Sequence, residues 1–257
     1  MNGFGNKHIQ SNKMKYTSII VTSYIPNEMR ERMFYTSLTT LIDSVKERPV
    51  EIIVCDNGGN KTVTEYLNDL IDEKKIHCLI RNSENMHFGF ARNQALAMAH
   101  GDYICIADND IEYLPDWLDT CIAILDIYDE KKIYATPIDY PRMARRYHVG
   151  ELDFGNFKLK LSMRAGSNCW VMRRRDYQIL GGFQNHRVAG TKWTTMASRA
   201  GYLAAVTPQD MVMDLGIHRG YNLKECLPIK RTLLNGKEVY FNQDEFKEAN
   251  PKLNFYE

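Results

Sequence analysis

Tyr103-Ile104-Cys105-Ile106-Ala107-Asp108-Asn109-Asp110 is an apolar run that ends, with no turn residue between, in two acids one residue apart. The run is too uniformly apolar for a half-exposed strand. It reads as a strand buried on both faces, the kind found in parallel sheets. Two carboxylates at such a strand end repel one another unless something compensates them. A divalent cation that prefers oxygen ligands, Mg2+ or Mn2+, would meet that need through Asp108 and Asp110. A turn or helix N-cap, where Asp and Asn are common, is the other reading.

The same alternation extends in both directions. Ser18-Ile19-Ile20-Val21-Thr22, Val50-Glu51-Ile52-Ile53-Val54-Cys55 and Ile76-His77-Cys78-Leu79-Ile80 are three further strands. Between them Phe34, Leu38, Leu41, Ile42 and Val45 fall at helical spacing, with Pro49 as the stop, and Val63 to Ile71 reads as a second helix. Ala91, Ala95, Leu96, Met98 and Ala99 make a third, with Gly101 as its expected C′ residue. Pro115 is expected at the first position of a fourth, which carries Trp117, Leu118, Cys121, Ile122 and Leu125 on one stripe. Strands alternating with helices predict an α/β fold with a mostly parallel sheet covered on both faces. After Ile133-Tyr134-Ala135-Thr136 the pattern loosens. Residues Pro137 to Gly166 are basic and aromatic, as loops over a site often are.

Composition sets outer limits. The chain has 257 residues, 33 basic against 32 acidic, 44% hydrophobic and 25% charged. Those values exclude a disordered chain, a collagen-like chain and a strongly basic nucleic-acid binder. No stretch approaches the length of a bilayer span, and Met1 to Ser11 lacks the apolar core of a signal peptide. Six cysteines (Cys55, Cys78, Cys105, Cys121, Cys169, Cys226) show no zinc-ligand spacing and are expected to be reduced thiols of a cytoplasmic protein.

In open parallel sheets ligands bind beyond the carboxyl ends of the strands. Three such ends here are small and polar: Thr22-Ser23-Tyr24, Asp56-Asn57-Gly58-Gly59 and Asp108-Asn109-Asp110. An aromatic ring at Tyr24, a hydrogen-bonding carboxylate at Asp56 and a metal-binding pair suit a nucleoside diphosphate. Phe88-Gly89-Phe90-Ala91-Arg92-Asn93 opens a helix whose N-terminus, with Arg92, favours a phosphate.

The segments SIIVTSYIPNE, EIIVCDNGGN, NSENMHFGFARNQALAMAHGDYICIADNDIEYLPDWL and GSNCWVMRRRDYQILGGF, in that order, resemble glycosyltransferase family 2. The resemblance implies the GT-A fold: a Rossmann-like, mostly parallel central sheet flanked by helices, with a mixed C-terminal acceptor region. It implies a domain over 16–221, with a nucleotide-sugar half over 16–136 and an acceptor half over 137–221. Residues 1–15 are expected to be disordered and 222–257 to form a tail. The implied activity is metal-dependent transfer of a sugar from a nucleotide-sugar donor, usually UDP-linked, to an acceptor. That acceptor could be a glycan, a lipid-linked molecule, a small molecule or a nucleic acid, and the oligomeric state is open. Thr22, Ser23, Tyr24 and Asp56 would hold the nucleoside, and Asn85 and Arg92 would contact the donor side. Asn57 and Asn109 fall in the same segments and join the donor-binding set. Asp108 would touch the ribose or donor sugar, and Asp110 would bind Mn2+ or Mg2+.

Departures from the family pattern matter as much. The Glu-Asp pair that usually follows the Gly181-Gly182-Phe183 turn, and supplies the general base for inversion, is missing. The corresponding stretch is Val188-Ala189-Gly190-Thr191-Lys192-Trp193. Asp139, Glu151, Asp153 and Asp210 are the replacement candidates, unless the reaction retains configuration or the chain is a non-catalytic binding protein. His218 is a candidate further metal ligand, since some GT-A enzymes use a late histidine. Arg142, Arg145 and Arg146, and separately Arg173, Arg174 and Arg175, read either as solvated faces or as a lip for an anionic acceptor. Trp170 and Trp193 read either as core or as a sugar-stacking platform. A dinucleotide-binding oxidoreductase would need a GxGxxG after the first strand, and none is there.

Overall fold

A computed structural model describes residues 15–25, 28–138, 146–186 and 189–215, together with the backbone of 230–232 and 238–240. Nine strands form the central sheet in the order β3-β2-β1-β4-β9-β6-β10-β8-β7. They are β1 (Thr17–Ser23), β2 (Val50–Asn57), β3 (Cys78–Asn82), β4 (Tyr103–Ala107), β6 (Ile133–Thr136), β7 (His148–Phe154), β8 (Phe157–Ser162), β9 (Cys169–Arg173) and β10 (Leu203–Val206). The first four run parallel, as the alternating pattern predicts. The second half is mixed, because β9 enters antiparallel to both β4 and β6, and β8 antiparallel to β10.

Alternate residues of each buried strand feed two cores, one per face. Ile19, Val21, Ile52, Val54, Cys105 and Ala107 pack under helices α1 (Glu28–Val45), α2 (Lys61–Asp72) and α4 (Trp117–Ile127). Ile20, Ile53, Cys55, Ile104 and Ile106 pack on the opposite face, under α3 (Phe88–Ala97) and α6 (Ala189–Arg199), with α5 (Arg174–Leu180) beside β9. This two-sided burial is why the strands read as continuous apolar runs. Short β5 (Ile111–Tyr113) and β11 (Val212–Asp214) pair outside the main sheet, as do β12 (Lys230–Thr232) and β13 (Glu238–Tyr240).

Several local expectations are corrected. The third strand runs from Cys78 rather than Ile76. Pro115 stands before the helix rather than in it, and Asp116, left-handed at φ 64, is the residue that caps α4. Gly101 does not terminate α3, whose C-cap is Met98. Gly101 is instead a point of close approach, where a Cβ would lie 2.4 Å from the Ser18 backbone nitrogen. Trp170 and Trp193 are buried and stack on each other with centroids 4.3 Å apart, so they are core and not a sugar platform. Cys55, Cys78, Cys105, Cys121 and Cys169 are free thiols, and Cys226 lies outside the described residues. No described helix is long and apolar enough to cross a membrane.

Candidate active site

The carboxylate turn at the end of β4 is held from four directions. From β9's side, the Asp108 N–H donates to the Asn168 carbonyl at 2.8 Å. Ser37 Oγ on α1 and Tyr113 Oη on β5 both donate to the Asp108 carbonyl, at 3.2 and 3.1 Å. Burial raises the Tyr113 phenol well above its ordinary pKa, which keeps it a donor. From β11, the Leu215 N–H donates to the Asp110 carbonyl at 2.7 Å. The turn is thus fixed by elements far apart in sequence, and its two carboxylates share one rim of the sheet.

Each carboxylate has an arginine. Arg92 is fully buried, with its guanidinium 3.5 Å from the centroid of the Phe88 ring and bonded to Asp108 Oδ1. The expected phosphate contact therefore faces Asp108, and not an open surface. Arg30, in the first turn of α1, donates to Asp110 Oδ2 at 2.8 Å and to Asn109 Oδ1 at 3.1 Å. The compensation that the sequence calls for is supplied within the chain by two guanidinium groups, one on each carboxylate. Arg30 is invisible from sequence, because only the packing of α1 against β5 brings it there.

The residues expected to hold a nucleoside sit on adjacent strands. Register pairs Ser23 with Asp56 and Thr22 with Cys55. Asp56 is buried, and its Oδ1 accepts from the Gly59 N–H at 2.9 Å. Burial raises its carboxyl pKa, while the Gly59 N–H, the Arg81 charge and the Thr64 hydroxyl pull it down. The net direction is up. Tyr24, the residue after Ser23, is 45% exposed. The buried Thr22 Oγ1 and Ser23 Oγ make no hydrogen bond among the described residues. Asn57 and Asn85 are occupied structurally. Asn57 Nδ2 donates to Asn85 Oδ1 at 3.0 Å, while Asn57 Oδ1 accepts from Asn82 and from the Met86 N–H, pinning the loop before α3.

The remaining candidates divide. Asp210 lies on the carboxyl-end rim: the Thr207 and Met211 N–H groups on either side of it donate to the carbonyls of Thr136, the last residue of β6, and Pro137, the residue after it. Glu151 and Asp153 stand away from the β1, β2 and β4 strand ends, five strands from β4 in the sheet order. They lie on β7 at the far edge of the sheet, where Asp153 pairs with Lys158. Arg173, Arg174 and Arg175 are no acceptor lip. Register sets Arg173 beside Tyr103 at the opposite end of β4, where Arg173 binds Asp176 and Arg175 binds Asp129. Asp139, His218, Arg142 and Arg145 lie outside the described residues. The first turn of α6 carries no acid, and a Cβ at Gly190 would lie 2.4 Å from Ser167 Cβ, so close packing fills the place where the resemblance expects a base. Asp214 was missed by the sequence reading. Its Oδ2 accepts from Asn168 at 3.1 Å, and its backbone pairs with Ile111.

Among the described residues no group of three His, Cys, Asp or Glu side chains could hold a metal ion. The donor chemistry nevertheless fits one. Asp108, Asn109 and Asp110 supply only oxygen, and hard divalent ions are commonly held by one or two carboxylates together with substrate phosphates.

Residues 18–184 match the family described as Glycosyl transferase family 2. Among curated relatives, the chain is 26% identical over 117 residues to a glucosyl-dolichyl phosphate glucuronosyltransferase of Haloferax volcanii, covering 44% of this chain and 34% of that one. It is 30% identical over 110 residues to a UDP-Glc:alpha-D-GlcNAc-diphosphoundecaprenol beta-1,3-glucosyltransferase of Escherichia coli, covering 43% and 39%. The match thus spans little more than a third of either relative. The fold is shared with a Pyrobaculum calidifontis mannosyltransferase solved with GDP-Man and Mn2+, at TM-score 0.62 and 17% identity over 83% of this chain and 60% of that one.

Proposed function

Because the chain belongs to glycosyl transferase family 2, we propose that it transfers a sugar from a nucleoside diphosphate donor, UDP-linked, to an acceptor hydroxyl, with a divalent cation at Asp110. The observation that carries this reading is the register of β1, β2 and β4. It sets Ser23, Asp56 and the Asp108–Asp110 turn along one rim. In this reading Tyr24 stacks on the base, Asp56 accepts from the base edge, and the Thr22 and Ser23 hydroxyls bond the nucleoside. Asp110 and Asp108 hold Mn2+ or Mg2+, with His218 as the further ligand. The cation supplies charge stabilisation on the departing diphosphate. Arg92 positions Asp108 through its buried ion pair. Asp210 is the carboxylate we assign to take the acceptor proton in an inverting transfer.

Support for the donor class comes from the relatives. The E. coli enzyme's name carries UDP-Glc, and a further solved structure that shares the fold, GalNAc-T7, holds UDP and Mn2+ (TM-score 0.62, 14% identity over 80% of this chain and 44% of that one). The names of the two curated relatives described above carry polyprenyl-linked sugars, so that acceptor class is the first to assay. Calorimetry with UDP and Mn2+ tests the site. Wild-type protein is expected to bind UDP more tightly when Mn2+ is present, and Asp110→Ala is expected to lose that gain while keeping its melting temperature. Metal-independent or absent UDP binding by the wild type would reject the assignment.

A further inference from the structure

The two arginines at the carboxylate turn are not equivalent. Arg92 has a side-chain exposure of 0% and is walled by Phe88 and Phe183, whereas Arg30 is 18% exposed and its partner Asp110 is 17% exposed. The guanidinium of Arg30 spans Asp110 Oδ2 and Asn109 Oδ1, which are the oxygens of the assigned metal motif. A divalent cation arriving at Asp110 meets this fixed positive charge, and Coulomb repulsion between the two at contact distance is large in a partly buried site. A diphosphate brought with the cation changes the balance, because its anionic oxygens are good partners for a planar guanidinium fork.

We propose that Arg30 is an exchangeable counter-ion. It competes with the divalent cation for Asp110 and passes to the donor diphosphate, so that metal and nucleotide bind synergistically rather than independently. This rests on the donor-site reading above and adds to it a residue and an order of preference: the cation is admitted with the nucleotide and resisted without it. Arg30 is a positioning residue here, because its effect runs through Asp110 and the diphosphate. Linkage makes the effect reciprocal, so whatever factor UDP adds to Mn2+ affinity, Mn2+ adds to UDP affinity.

The test is a set of binding titrations, with Mn2+ followed by electron paramagnetic resonance and UDP by calorimetry, each with and without the other ligand. In the wild type, saturating UDP is expected to tighten Mn2+ binding by about tenfold or more, within the usual range of coupling between sites. In Arg30→Gln, Mn2+ alone is expected to bind about tenfold more tightly than in the wild type. UDP alone is expected to bind more weakly, and the coupling factor to shrink toward one. Arg30→Lys keeps the charge but loses the fork, and is expected to move both affinities the same way by a smaller factor. It serves as the readout if Arg30→Gln does not fold. Variants whose Mn2+ and UDP affinities equal those of a wild type that does couple the two ligands would overturn the role of Arg30 and leave the donor site standing. A wild type that binds neither ligand would overturn both.

Discussion

Asp56 shows how a single residue carries a readable chemical signature. Its place at a strand end was legible, because the turn cluster Asp56-Asn57-Gly58-Gly59 follows the apolar run Ile52-Ile53-Val54-Cys55 directly. Its environment was not, since the raised pKa comes from burial, which outweighs the lowering by the Gly59 N–H, the Arg81 charge and the Thr64 hydroxyl. The sign of the consequence follows directly. A raised pKa means the carboxyl takes its proton at a higher pH than an ordinary aspartate, near about 3.9, and the proton removes the acceptor assigned to the base edge. UDP affinity is therefore expected to fall on acidification while the pH is still above that ordinary range. Asp56→Asn is expected to bind weakly with no such slope. Calorimetry across pH checks this, and a wild-type affinity that is flat down to about pH 4 would contradict it. Arg30 and Asp214 mark the opposite case. Neither lies near the motif in sequence, and only the contacts of α1 and β11 with β5 bring them to it.

Among elements, the strands and helices with strong periodicity were legible, and their ends were less so. Asn60 caps α2 by accepting from the Val63 N–H at 2.9 Å, so the helix begins at Lys61, two residues before the start read from the hydrophobic spacing. Strand ends opposite the site depend on a network the sequence did not reveal. Glu51 on β2 accepts from Ser18 Oγ on β1 and from the His100 N–H at 2.6 Å, and so ties two strands to the turn that enters β4. Burial alone would raise the Glu51 pKa. The Ser18 hydroxyl, the His100 N–H and the His100 ring overcome it and hold the group below its ordinary value. Because the folded-state pKa is depressed, the stabilisation is present above the unfolded value, about 4.3, and is lost as pH falls through the folded one. Glu51→Gln is expected to cost about 1–3 kcal/mol at neutral pH and to flatten the acid limb of stability. Urea unfolding at several pH values measures both. Unchanged stability at neutral pH would remove the network from the account. Gly101→Ala should destabilise the same junction, since its Cβ would meet the backbone of β1 at 2.4 Å.

At the scale of the whole molecule, the parallel half was legible because a doubly covered sheet imposes one hydropathy pattern on every strand. The mixed half was less so. Strand β9 runs antiparallel between β4 and β6 and brings Asn168 to the carboxylate turn after β4, yet Cys169-Trp170-Val171-Met172 carries no mark of direction. The missing acid at the start of α6 was legible, and the packing of Gly190 on Ser167 gives that absence a structural reason. The central claim is that the rim formed by β1, β2 and β4 breaks a nucleotide-sugar bond with Asp110 at its centre. The most direct measurement is phosphorus NMR of UDP-sugars incubated with Mn2+, a polyprenyl-linked sugar acceptor and either wild-type protein or Asp110→Ala. Release of UDP by the wild type, reduced about a hundredfold or more in the variant, is the expected result. UDP release at equal rates by the two proteins, or a wild type that binds every donor in a broad panel and consumes none, would contradict it.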